Sequence, residues 1–483
     1  MRQHLYYQEM VLRTASPASL SPLRSIIAAF TIQLLLSIGS NMPLTPQTAI
    51  LQDIVCKQYY EGAKPLNSTS LDCTIEPVIG EVARIIGWEY AIENIPNMLL
   101  AVPFGILADR YGRKRVLLLA LFGSFMNDAW IRLVYWFPET FPVHTVWFAG
   151  AWQSIGAGAA TLSSITHALV ADACTEEQRT SAFSQIRSAK LLSQMLFVPL
   201  GGALIVFNPW LPMFIATGFT ISGLIAAVLL VPADQVKETH AIQSDETRTL
   251  LETETAATSS AKSSSSPWHS FTDQAKRLAG WVAGNSRLIP LILSFFVFQL
   301  GEQAGMALLL QYAAKRLEWS LTKASFLISV RAGVNLSALI IMVPALSFLL
   351  MHKAHRTVIK KDKWLAQGSG ALLVAGCIAV FFATTPFSLI FGLVLISFGD
   401  VFAIPVRSLS TALVDPSHLG LLYNVIEVMT QIGLFIGQPM LASAFGWGLR
   451  LGGFWMGLPF LLAAVFFLLA LIAVSSTPTS RRG

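Results

Sequence analysis

The sequence predicts an all-α polytopic membrane protein with twelve transmembrane helices in two pseudo-symmetric six-helix halves. Three observations carry this reading. Of 483 residues, 54% are hydrophobic and only 12% charged, with a mean hydropathy of +0.60; a soluble domain carries about 25% charged residues. Twelve apolar segments approach or exceed the roughly 20 residues that cross a bilayer as a helix. Finally, 23 of the 33 basic residues fall on one side of those segments and seven on the other, the bias that sets orientation in membranes. This composition excludes a soluble enzyme and a disordered chain. It also excludes a nucleic-acid binder, because the basic residues form no single patch.

Residues 1–24 are polar and read as a cytoplasmic tail without a cleavable signal. The first half, 25–232, places spans at about Ser25–Met42, Tyr90–Ala108, Val116–Phe137, Thr145–Val170, Ser184–Phe207 and Leu211–Pro232. Residues 233–287 include the run Ser263–Ser266 and are rich in Ser, Thr and Glu. Such a tract buries too little apolar surface to order itself, so it reads as a partly disordered cytoplasmic linker, with a short surface helix over Trp268–Val282. The second half, 288–475, places spans at about Leu288–Tyr312, Leu321–Met351, Trp364–Thr385, Phe387–Leu413, Leu421–Phe445 and Gly453–Val474, before a tail at 476–483. The charge bias puts both termini in the cytoplasm.

The long loop between the first two spans lies outside on this reading. It holds Asn67-Ser68-Thr69, a glycosylation acceptor. It also holds Cys56 and Cys73, which an oxidising compartment would join. No CxxC or Cys/His cluster is present, so neither a metal nor a cofactor is expected.

Between the second and third spans stands Gly105-Ile-Leu-Ala-Asp109-Arg110-Tyr-Gly112-Arg113-Lys114-Arg115. Gly112 permits a tight reversal, the basic residues hold the loop inside, and Asp109 is placed to pair with them or to meet a helix N-terminus. An ordinary positive loop explains the arginines but not Gly105, Asp109 and Gly112 at this spacing. Here the sequence resembles the major facilitator superfamily, whose signature loop between helices two and three has this form. Ala168-Leu-Val-Ala-Asp172 and Ala412-Leu-Val-Asp415 echo one another at the end of the fourth span of each half, as duplicated transporter halves do. Gln311-Tyr312, followed by Lys315-Arg316 and Trp319, is similar to fungal members. The resemblance implies that Asp109, Arg110 and Arg113 latch the halves at a cytoplasmic gate. It also implies a small-molecule substrate and a monomer in the lipid bilayer. No Walker A motif is present, so protons are expected as the coupling ion, and no HExxH, GxSxG or His-rich box is present, so no enzymatic activity is expected; nor is a nucleic-acid partner. Two departures stand out: Trp152 occupies the place of an arginine common in proton exchangers ahead of Gly156-Ala-Gly158. The antiporter signature of helix five survives only as Pro199-Leu200-Gly201-Gly202.

Charges at bilayer depth are expensive and mark function. Glu302 and Arg331 fall at depths about 6 Å apart, so Glu302, beside Gln303, is expected as a proton or substrate site with Arg331 as its counter-charge. Asp400 is a second protonation candidate without an evident partner. Asp128 and Arg132, four apart, are placed to pair within one helix. Glu89 and Glu93 read as the wetted lip of an outer vestibule, and Arg407 with Glu427 as an inner gate pair. The combination predicts proton-coupled efflux of a hydrophobic metabolite or drug, with uptake of an organic anion on Arg331 as the alternative. A transporter-like receptor is the reading from another class. The plasma membrane is the expected location, with the vacuolar or another endomembrane as the alternative.

Overall fold

The computed structural model describes residues 22–62, 72–158, 161–166, 176–231, 288–349, 358–414 and 419–477. Within them the chain is helical and has no strand. The helices are α1 Pro22–Asn41, α2 Leu44–Gly62, α3 Glu76–Tyr111, α4 Arg113–Trp136, α5 Ala149–Trp152, α6 Glu176–Leu204, α7 Trp210–Leu230 and α8 Ile289–Ala307. They continue with α9 Leu309–Arg316, α10 Leu321–Ser337, α11 Val343–Phe348, α12 Val358–Phe381, α13 Pro386–Gly399, α14 Ala403–Ala412, α15 Leu419–Leu451 and α16 Leu458–Ser476. Among the described residues eight helical stretches are long and apolar enough to cross a membrane, and a ninth joins them if α8 and α9, bent by 42°, form one span. Twelve spans are consistent with this series. Large apolar side chains such as Phe122, Leu229, Ile341, Phe391 and Ile472 stay exposed on the helices, as lipid-facing surfaces require.

Local chemistry sets the ends. Ser320, ahead of α10, accepts the Lys323 amide, and Thr385, the residue before Pro386, forms a capping box with Ser388 in the first turn of α13. Gly112, at φ 99°, separates α3 from α4 in a conformation that a side chain disfavours. The predicted fourth span is not one rod. Gly156, Ala157 and Gly158 all take positive φ, at 91°, 56° and 51°, and a left-handed run interrupts the helix between α5 and 161–166.

The predicted long outer loop is also mostly helix. Leu44–Gly62 continues the first span as α2 because Ile50, Leu51, Ile54 and Val55 bury against Val78, Val82, Ile85, Ile86, Val134 and Val146. The same packing starts α3 at Glu76, fourteen residues before the predicted boundary. Cys56 and Cys73 are joined by a disulfide with Cα atoms 5.3 Å apart. Asn67, the linker, the surface helix over Trp268–Val282 and the echo residues Asp172 and Asp415 lie outside the described residues.

In the first half α1 packs on α6 and α7; in the second, α8 packs on α15 and α16, and α12 on α13 and α16. The halves meet along α3 with α15 and along α6 with α10.

Candidate functional site

Buried charge in the second half converges on Asp400, which follows α13. Its Oδ2 accepts from Arg331 Nη2 at 3.0 Å and Nε at 3.2 Å, and from Asn335 Nδ2 at 3.3 Å, both on α10. Arg331 Nη1 donates to the Gly305 carbonyl of α8 at 2.7 Å. Both ion-pair side chains are almost wholly buried, at 7% and 5% exposure. The expected Glu302–Arg331 pair is therefore corrected: the guanidinium is taken by Asp400, the residue the sequence left without a partner. Depth along a helix fixes height only, and azimuth brings Asp400 rather than Glu302 to the guanidinium.

Glu302 sits on α8 about 20 Å from the start of that helix. No described side chain hydrogen-bonds its carboxylate. The charges that act on it are Asp400, Arg331, Arg187 and Lys190. The last two belong to α6 in the other half. They open the predicted span Ser184–Phe207, but α6 begins at Glu176, so Lys190 lies about 21 Å along it. An arginine and a lysine three apart inside an apolar helix were the signal available for them. Gln303 turns the other way and its Oε1 accepts from Gln438 Nε2 of α15.

In the first half Asp128 and Arg132 pair at 3.6 Å. Glu89 and Glu93 are not a vestibule lip. Because α3 starts at Glu76, Glu89 is buried inside the bundle, 3% exposed, and accepts from Gln47 Nε2 at 2.9 Å, and the half-buried Glu93 accepts from Asn127 Nδ2 at 2.7 Å.

The expected Arg407–Glu427 gate pair does not form. Arg407 lies over the Phe295 ring at 6.0 Å, and Glu427 accepts from Gln431 one turn along its own helix at 2.7 Å. In the signature loop the side chains of Gly105, Asp109 and Arg110 lie outside the described residues. Arg113 and Lys114 open α4, and Lys114 Nζ donates to the carbonyls of Val228 and Val231 at 2.7 and 2.6 Å.

At the disulfide-bearing end three contacts join the halves. Lys315 Nζ donates to Thr74 O at 2.6 Å, Arg450 pairs with Glu76 at 3.4 Å, and Thr322 Oγ1 donates to Gly202 O at 2.8 Å. A cleft of about 760 Å³ remains there, lined by Gln52, Asp53, Gln311, Lys315 and Trp319 among others. Beside it, in the exposed turn, the Thr74 hydroxyl and amide hold the Asp72 carboxyl below its ordinary range.

Comparison with known proteins follows the same outline. The sequence profile described as Major Facilitator Superfamily matches residues 25–405. An efflux pump, ustT, of Aspergillus flavus is 38% identical over 471 residues, 97% of this chain and 90% of that one. The MFS efflux pump atnC of Emericella nidulans is 29% identical over 469 residues, 93% and 87% of the two chains. Among solved structures, the human organic anion transporter MFSD10 (TETRAN) aligns with a TM-score of 0.58 at 17% identity, over 94% of this chain and 100% of that one. A D-xylose–proton symporter aligns with a TM-score of 0.62 at 14% identity, over 95% and 98%. These two likenesses concern the fold.

Proposed function

The chain belongs to the Major Facilitator Superfamily, whose members are multi-pass membrane transporters and not enzymes, and on that premise we propose that it exports a small hydrophobic organic molecule by proton-coupled alternating access. Relatives named as efflux pumps favour export. The observation that carries the coupling is the contrast between two acids. Three donor contacts hold Asp400, whereas Glu302 has no hydrogen-bond partner among the described residues and feels the charges of Arg187 and Lys190 of the opposite half.

An ionised Glu302 draws α6 towards α8 across the space between the halves; a proton on Glu302 removes that attraction. Opposite charges in a low-dielectric setting attract several times more strongly than in water, so a single proton on Glu302 biases which face is open. The Asp400–Arg331–Asn335 network, tied to α8 through Gly305, keeps α8, α10 and α13 in register while Glu302 changes state. Within this reading Asp109, Arg110 and Arg113 latch the cytoplasmic gate, the termini face the cytoplasm and the protein acts as a monomer in the plasma membrane.

Uptake of an organic anion on Arg331 is the weaker reading, because each of its three guanidinium nitrogens already donates to Asp400 or Gly305. The test is flux of a fluorescent hydrophobic dye in sealed vesicles with an imposed pH gradient. Dye movement against its own gradient, collapsed by a protonophore, is expected. Movement indifferent to the protonophore overturns the proton coupling, and a gradient-driven flow in the uptake direction overturns export.

A further inference from the structure

The acids of the first half have no part in the reading above, and their surroundings are incomplete. Glu89 and Glu93 from α3 and Asp128 from α4 lie close enough for each to act on the next. Four charged side chains meet here, and only Arg132 is positive. The other donors to the two glutamates are the neutral amides of Gln47, from α2, and Asn127, from α4. Tyr90 and Tyr135 are the remaining titratable groups that face the cluster. Glu89 is buried, Glu93 is half-buried and the Asp128 side chain keeps 32% exposure, so three ionised carboxylates would set two net negative charges around a buried Glu89, a cost that two amide hydrogen bonds do not offset.

A second observation is independent of the charge count. Among the described residues Glu89 Oε2 and Asn127 Oδ1, on residues only 3% and 4% exposed, are buried without a hydrogen-bond partner, and Arg132 Nε is likewise unpartnered. Buried polar atoms in native structures are satisfied. The cluster therefore lacks something that donates hydrogen bonds to acceptors and reduces negative charge.

We propose that Glu89, Glu93 and Asp128 form a second proton-holding site, in the first half, separate from Glu302. The shared proton sits within the carboxylate cluster, and water completes the unpartnered atoms. The inference rests on the proton-coupled reading only for its use in transport: each half then carries one proton site, and Gln47 connects this one to the first span. No bond other than O–H is made or broken, and the proton exchanges with bulk water.

The test reads the proton and not the flux. Infrared spectra of the purified full chain in lipid films, in H2O and D2O at neutral pH, are compared between the wild type and the Glu89→Gln, Glu93→Gln double variant. The expected difference contains the C=O stretch of a neutral carboxylic acid that shifts in D2O. The exposed control Glu61→Gln is expected to remove carboxylate bands only. A double variant that removes only ionised-carboxylate bands overturns the proposal. Should the double variant not fold, the isosteric singles Glu89→Gln, Glu93→Gln and Asp128→Asn replace it; loss of neutral-acid area in at least one supports the site, and loss in none overturns it. A neutral-acid band in a protein whose dye flux ignores the protonophore leaves this site standing and removes only its role in transport.

Discussion

Lys114 and Lys363 perform the same task in the two halves. Lys114, at the start of α4, donates to the carbonyls of Val228 and Val231 at the end of α7. Lys363, near the start of α12, donates to those of Ser475 and Thr477 at the end of α16, at 2.8 and 2.7 Å. Each ammonium satisfies carbonyls that a helix C-terminus leaves open and sits where the helix dipole favours a cation. The third predicted span of each half thus caps its sixth, α4 on α7 and α12 on α16, an equivalence that residue identity alone hides because one lysine lies in the signature loop and the other does not.

Replacing either lysine by Met keeps the stem and removes the caps. Each change is expected to cost about 1 kcal/mol, read as a lowered thermal midpoint in detergent. The two caps share no partner, so the double variant should show the sum. A double variant no worse than one single would mean that the two caps belong to one cooperative unit.

The disulfide closes a short loop, Cys56 and Cys73 being 17 residues apart. Cys56→Ser is expected to destabilise the α2–α3 end by about 3 kcal/mol on the chain-entropy estimate. Neither cysteine should react with a membrane-impermeant maleimide until the protein is reduced. The same loop carries Asn67 in Asn-Ser-Thr, and glycosidase treatment should sharpen the wild-type band on a gel but leave Asn67→Gln unchanged. Labelling of both thiols from outside without reductant contradicts the disulfide.

What the sequence displayed and what it hid divide along a physical line. Apolar length and basic-residue bias revealed the helical membrane class, and the i,i+4 spacing revealed Asp128–Arg132. Azimuth around a helix and helical extension beyond the bilayer leave no mark on hydropathy. That is why Asp400 had no visible partner and why Arg407 and Glu427, similar in depth, point elsewhere. It is also why Glu89 and Glu93 looked like a rim: hydropathy began the span at Tyr90, whereas packing against α2 starts the helix at Glu76.

The Arg331–Asp400 pair should behave as a structural unit. Arg331→Leu strands a buried carboxylate and Asp400→Leu strands a buried guanidinium, so each single change is expected to cost about 3–5 kcal/mol. The double Leu variant removes both charges and should recover much of that loss, a coupling visible in a double-mutant cycle of thermal stability. Additive losses would show that the two residues serve separate interactions.

Glu302 separates coupling from binding. Glu302→Gln fixes the side chain in its neutral shape and removes the attraction to Arg187 and Lys190, so gradient-driven dye movement should be lost. Counterflow, which needs binding and the conformational cycle but no net proton movement, should survive. Asp400→Asn differs in kind. It weakens three hydrogen bonds that hold α10 to the end of α13, so stability and counterflow should fall together with driven transport. Lys190→Met supplies the complementary test, since it takes away one partner of the ionised acid across the halves and should speed exchange while leaving coupling in place. Driven transport at the wild-type rate in Glu302→Gln would move the coupling role to the Glu89–Glu93–Asp128 cluster, where Glu93→Gln is the next variant to measure.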